Sequence, residues 1–190
     1  MSSFQLRLCS VVGTALVFIG SLWANQEIFT HSEFVRGVNW VYLPAGIRLL
    51  STLLLGADGA LGLLLASWLV DFCYFFPNDP VRSFVGGIIA TAAPYAVYRL
   101  AREIYGLNAS LSNLSAGRLM LLTVAYATAG PLLHNLWFCL QGDTHSVASR
   151  FFAMFIGDLA GTVIVIYTLK AALHFLPVPR GPEAESQSDG

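Results

Sequence analysis

From Leu8 to Leu176 the sequence is a train of apolar runs separated by short polar stretches. The runs fall at 8–24, 39–56, 59–76, 81–100, 119–140 and 151–176, and each is about 17 to 26 residues long. A helix rises 1.5 Å per residue, so about 20 apolar residues cross about 30 Å of hydrocarbon. Each run is long enough to do so, and only 11% of the 190 residues are charged, against about 25% in soluble domains. The chain therefore reads as an all-α, polytopic integral membrane protein of about six transmembrane helices. Residues 1–176 form a single membrane domain, and 177–190 form a polar tail expected to be disordered and cytoplasmic.

The first run is preceded by one basic residue, Arg7, and ends on Leu22-Trp23-Ala24, a poor cleavage site, so it reads as a retained anchor rather than a signal peptide. Ala57-Asp58 is a short turn between the second and third runs. The fourth run contains Gly86-Gly87 and Pro94 and is open to being broken or re-entrant. The fifth is interrupted by Gly130-Pro131. Loop lysines and arginines set the orientation. With the N-terminus cytoplasmic, that side holds Arg7, Arg99, Arg102, Arg118, Lys170 and Arg180, and the outer side holds Arg36, Arg82 and Arg150. An N-in, C-in topology follows. It leaves Asn108-Ala109-Ser110 and Asn113-Leu114-Ser115 as ordinary cytoplasmic loop residues.

Charges inside the runs point to a site. A charged side chain near the bilayer centre costs from about 3 to more than 10 kcal/mol unless it faces protein, water or a partner. Arg48, in the second run, and Asp158, in the sixth, both lie roughly 10 to 14 Å below the outer boundary at 1.5 Å per residue, which makes them natural partners. Asp71, His134 and Asn135 approach the same level from the third and fifth runs. Trp40, Pro44 and Arg48 recur every four residues and would share a helix face, and Pro44 would free a carbonyl near Trp40. Gly157-x-x-x-Gly161 around Asp158 is a small-residue pattern that admits a close helix neighbour. Two readings stand side by side: a salt bridge that locks two helices, or a ligand pocket.

Pro44-Ala45-Gly46-Ile47 with its leucine run to Gly56, and Phe155-Ile156-Gly157-Asp158-Leu159-Ala160-Gly161-Thr162, resemble the two best marked blocks of the MASE-type membrane-associated sensor domain. Trp40 stands four residues before Pro44 instead of next to it, and about six spans replace the usual eight or so. The resemblance implies a bacterial inner-membrane sensory module. Depth and spacing mark Trp40, Pro44, Arg48, Asp71, His134, Asn135 and Asp158 as its ligand or helix-pairing residues. Gly46, Gly157 and Gly161 would be its packing contacts. The tail after Leu176 is too short to fold, so a signal would pass to a separate membrane or cytoplasmic signalling protein.

The helix count and the late Gly-Asp block are also similar to the substrate-binding S-components of energy-coupling-factor vitamin transporters, which dock on an ATPase module. Gly13 and Gly20 would supply the docking face. A purely structural membrane subunit is a further alternative. Catalysis is not expected, because no Gly-x-Ser-x-Gly, His-Glu-x-x-His or paired-carboxylate signature is present. No cofactor or metal site is expected either: Cys9, Cys73 and Cys139 are widely separated and form no CxxC pair. The partners expected are the lipid bilayer and a protein, not nucleic acid, since no basic patch exists.

Overall fold

The computed structural model describes residues 2–29, 33–35, 38–108 and 111–175. Over these the chain forms α1 (Ser3–Ile28), a small antiparallel ribbon of β1 (Glu33–Val35) and β2 (Val38–Asn39), α2 (Leu43–Val70), α3 (Pro80–Tyr105), α4 (Ala116–Leu140) and α5 (Val147–Phe175). A π-helical turn, Asp71–Phe75, continues α2. The tail expected at 177–190, and Arg36 and Arg180 of the charge count, lie outside the described residues.

Five helices among the described residues are long and apolar enough to cross a membrane, α2 and its π turn counting as one of 33 residues. Their outward faces carry large apolar side chains such as Leu16, Leu55, Leu69, Leu132 and Phe152. A water-facing surface rarely carries so continuous an apolar cover. The chain is an all-helical, multi-pass membrane protein in class.

The two runs read separately at 39–56 and 59–76 fall together in α2, which is broken at Gly56 (φ 57°, ψ −124°). Only glycine takes up such a conformation without steric cost. Contacts with α1 give the direction of each arm. The Leu43 N–H donates to the Asn25 side chain near the end of α1 (2.7 Å), and Arg7 near its start donates to Asp58 just past the break (3.0 Å). Gly62 is then back against Val11 and Thr14, and a side-chain carbon on Gly59 would run into the Ser51 carbonyl. In a straight helix residues eight apart are about 12 Å apart. The arms 43–55 and 57–70 therefore lie antiparallel.

Two apolar clusters hold the bundle. Ala45, Leu49 and Leu53 of the first arm pack with Ala93, Val97 and Ala101 of α3 and with Leu122 and Tyr126 of α4. Leu63 and Ala66 of the second arm pack on Phe18 of α1. α5 closes against the start of α2 through glycines: side chains on Gly157 and Gly161 would collide with the Asn39 and Tyr42 carbonyls, and one on Gly46 would meet Val165. The Tyr42 N–H donates to the Gly157 carbonyl at 3.1 Å, across this contact. The small-residue pattern in α5 does admit a close neighbour, as its spacing predicts.

Three expectations are corrected. α2 begins at Leu43, so Pro44 occupies its first turn, where the missing N–H is an orphan anyway. No carbonyl is freed near Trp40. Trp40 precedes the helix, is 40% exposed and meets Phe34 edge to face, so it does not share the helix face of Pro44 and Arg48. α3, open to being broken at Gly86-Gly87 or Pro94, is continuous over 26 residues.

Candidate functional site

Helix ends, chain reversals and glycines bring polar groups to one cavity of about 120 Å³. Arg48 reaches it from the second turn of α2, Asp71 from the first residue of the π turn, His134 from the second half of α4, and Asp158 from α5. π-helical turns of this kind recur at functional sites because they re-aim side chains. Glycine makes room for both acids. A carbon on Gly86 would stand 3.2 Å from Asp71 Oδ2, and one on Gly130 would stand 3.3 Å from Asp158 Oδ2.

The direct Arg48–Asp158 bridge is not formed. Among the described residues the ion pairs within 4 Å are Arg7–Asp58, Arg99–Glu103 and Arg150–Asp143. Arg48 lies instead over the rings of Phe18 (4.9 Å to the centroid) and Tyr42 (5.3 Å), beside Tyr126. Cation–π contacts of this kind are worth about 0.5 to 2 kcal/mol each, far less than a buried charge loses by leaving water. The Arg48 Nε is buried without an acceptor. Asp158 is only 8% exposed, and among the described residues no protein group donates to its carboxylate.

His134 Nδ1 lies 3.0 Å from the Gly130 carbonyl. A carbonyl can only accept, so the proton is on Nδ1 and Nε2 is left for a ligand. The other candidate residues do not reach the cavity. Asn135 is buried, and its Nδ2 donates to the Pro131 carbonyl at 2.9 Å. Pro44 is buried in the helix start, and Trp40 lies outside.

The structure adds residues the sequence reading used only as topological markers. Arg82 and Arg150 line the outer part of the cavity and flank the Phe138 ring, at 5.3 and 4.8 Å from its centroid. Arg82 also lies 4.1 Å over Phe76. A wider, more open depression of about 500 Å³ shares Phe75, Phe76, Arg82 and Arg150 with the inner cavity and forms its mouth. The arginine signal was present in the sequence, but its position at run ends made it look like a loop charge. Tyr42, also in the lining, carried no such signal.

Arg150 differs from Arg48 in having a carboxylate partner, although its Nε is also buried without an acceptor. It donates to the Asp143 carboxylate (2.6 Å) and to the Asp143 and His145 carbonyls (3.3 and 3.0 Å). The hydrogen bond from Arg150 holds the Asp143 carboxyl below the usual carboxylate range. Among the described residues no group of three or more His, Cys, Asp or Glu is placed to hold a metal ion. No protein-family model matches the chain, and neither a curated protein nor a solved structure matches it.

Proposed function

We propose that the chain is a six-pass, inner-membrane binding module that takes a small polar ligand in this cavity and reports its occupancy to a separate protein. One observation carries the reading: a half-buried arginine whose Nε is buried, the buried Asp158 and the half-buried Asp71 face one cavity without pairing with each other. Leaving such charges unmatched costs several kcal/mol, and a ligand that matches them recovers that cost. The module binds its ligand rather than transforming it.

The antiparallel arms of α2 supply two of the six passes, with Gly56 as the turn. The end carrying Arg7, Asp58, Arg99, Arg102, Arg118 and Lys170 is the cytoplasmic one, and the cavity mouth with Arg82 and Arg150 opens outward. Signalling follows from the packing. Asp158 sits between Gly157 and Gly161, at the closest approach of α5 to the start of α2, so a ligand bridging Arg48 and Asp158 biases how these elements pack. This mechanism suits a sensory module such as the resemblance to the MASE-type sensor domain implies, with a signalling protein as the receiver.

A second reading, the substrate-binding component of an uptake transporter, is favoured by one observation: side chains added at Gly13 and Gly20 of α1 would meet nothing within 4 Å. That leaves a smooth face for a membrane partner. Co-purification with an ATPase module supports it, and co-purification with a kinase or cyclase supports the sensor.

Two experiments test the core. In a variant lacking Cys9, Cys73 and Cys139, single cysteines at Ala57 and Ser146 should label from opposite sides of the membrane; labelling from the same side overturns the six-pass topology. Arg48→Ala, Asp158→Ala and the reversed pair Arg48→Asp/Asp158→Arg test the cavity. The reversed pair should not restore what a single variant loses, because no direct bridge exists. Full recovery makes the two residues a structural lock.

A further inference from the structure

We infer that the ligand is a small ammonium–carboxylate zwitterion of α-amino-acid type, its carboxylate on Arg48 and its ammonium on Asp158 and Asp71. The inference rests on the binding reading above and narrows it to a chemical class.

Charge balance is the first argument. Arg150 is matched by Asp143, which leaves Arg48 and Arg82 against Asp71 and Asp158 around the cavity. A lone anion bound here would face two carboxylates, and a lone cation two arginines. A ligand with both charges and no net charge satisfies both sets, and buried charge is tolerated only when so paired.

Geometry is the second. Arg48 offers a planar fork of donors suited to a carboxylate; its buried Nε lacks an acceptor, as do those of Arg82 and Arg150, but Arg48 alone of the three lies beside both Asp158 and Tyr42 in the inner cavity. The acids can only accept when ionised, so they call for a group bearing N–H donors. A quaternary ammonium group would want an aromatic cage. The rings nearest the inner charges, Phe18 and Tyr42, are already covered by Arg48, so a primary ammonium fits better.

Size is the third argument. On this measure about 10 to 15 Å³ admits one water, so a cavity of about 120 Å³ has room for a zwitterion of amino-acid size. Any larger substituent would have to extend toward the mouth, past Phe75, Phe76 and Phe138, and an apolar one would be tolerated best there.

The test uses the full chain in lipid nanodiscs with three probes, L-alanine and its two one-ended truncations, sodium propionate and ethylammonium chloride. L-alanine should raise the melting temperature saturably, with each one-ended probe at least tenfold weaker. Arg48→Gln should lose the L-alanine response and keep that to ethylammonium, whereas Asp158→Asn should keep only that to propionate. Should either variant fail to fold, the ranking of the three probes on wild type still decides. Propionate or ethylammonium binding as well as L-alanine overturns the inference in favour of a simple anion or cation site. If none of the three binds but inorganic phosphate or another single-charge probe does, the zwitterion fails and the binding module survives. If no probe binds and the reversed charge pair restores stability, both fall.

Discussion

Arg48 and Arg150 are two arginines set deep in the same end of one helical bundle, and they are treated oppositely. Arg150 has a carboxylate at 2.6 Å and two carbonyls, all supplied by the loop just before its own helix. Arg48 has the rings of Phe18 and Tyr42, the polar ends of Tyr42 and Tyr126 beside it, and a cavity, with Asp158 and Asp71 beyond 4 Å. A local loop can match an arginine's charge, because short chain separation makes closure inexpensive. Groups on four separate helices meet only if the whole bundle positions them, and here it positions them around a gap. The first arrangement serves the fold. The second has the form of a site.

The largest break of this contrast is expected from Gly161→Val. The new side chain collides with the Tyr42 carbonyl and separates α5 from the start of α2, carrying Asp158 away from Arg48. Overpacking typically costs about 1 to 3 kcal/mol, and collision with backbone more, so folded yield in detergent should fall sharply while Gly13→Ala, on the open face of α1, stays near wild type. Next comes Arg150→Ala. It removes three hydrogen bonds and the stacking on Phe138, and the melting temperature should drop by several degrees with the inner cavity still able to bind.

A smaller effect of opposite sign is expected at the site. Asp158→Asn removes an unmatched buried charge, so the ligand-free protein should gain stability, by about 1 kcal/mol, while ligand-induced stabilisation disappears. A loss of stability in this variant would show that the carboxylate has a structural partner after all. The smallest effect concerns pH. Asp143 has a lowered pKa in the folded protein, so its contribution is present above the usual carboxylate value of about 4 and is lost as pH falls through the lower, folded one. Melting curves from pH 6 to pH 3 should show a slight acid-limb loss in wild type that Arg150→Ala lacks.

Much of the architecture was legible because it depends on composition and short spacing. Apolar runs of spanning length dictate helices in a membrane whatever their partners. Gly157-x-x-x-Gly161 announces a close contact because nothing else fits there. Arg48, Asp71, His134 and Asp158 stood out because charged and imidazole groups in apolar runs demand a reason. Legibility ended where a residue's role depends on which side of a helix start it falls. Trp40 looked like a continuation of the Pro44–Arg48 face, yet the helix begins after it, and Asn135, adjacent to His134, points into the helix ladder instead.

By itself, then, the sequence determined that this chain is a helical membrane protein with polar groups held in its apolar runs, since transfer from water to hydrocarbon depends on residue type alone. Only the tertiary structure decided that Arg82 and Arg150 join the mouth, and that Arg48 and Asp158 face each other across a cavity without touching. Those outcomes rest on distances of a few ångströms between residues up to about a hundred positions apart. Packing of the whole bundle sets such distances, and no local pattern encodes them.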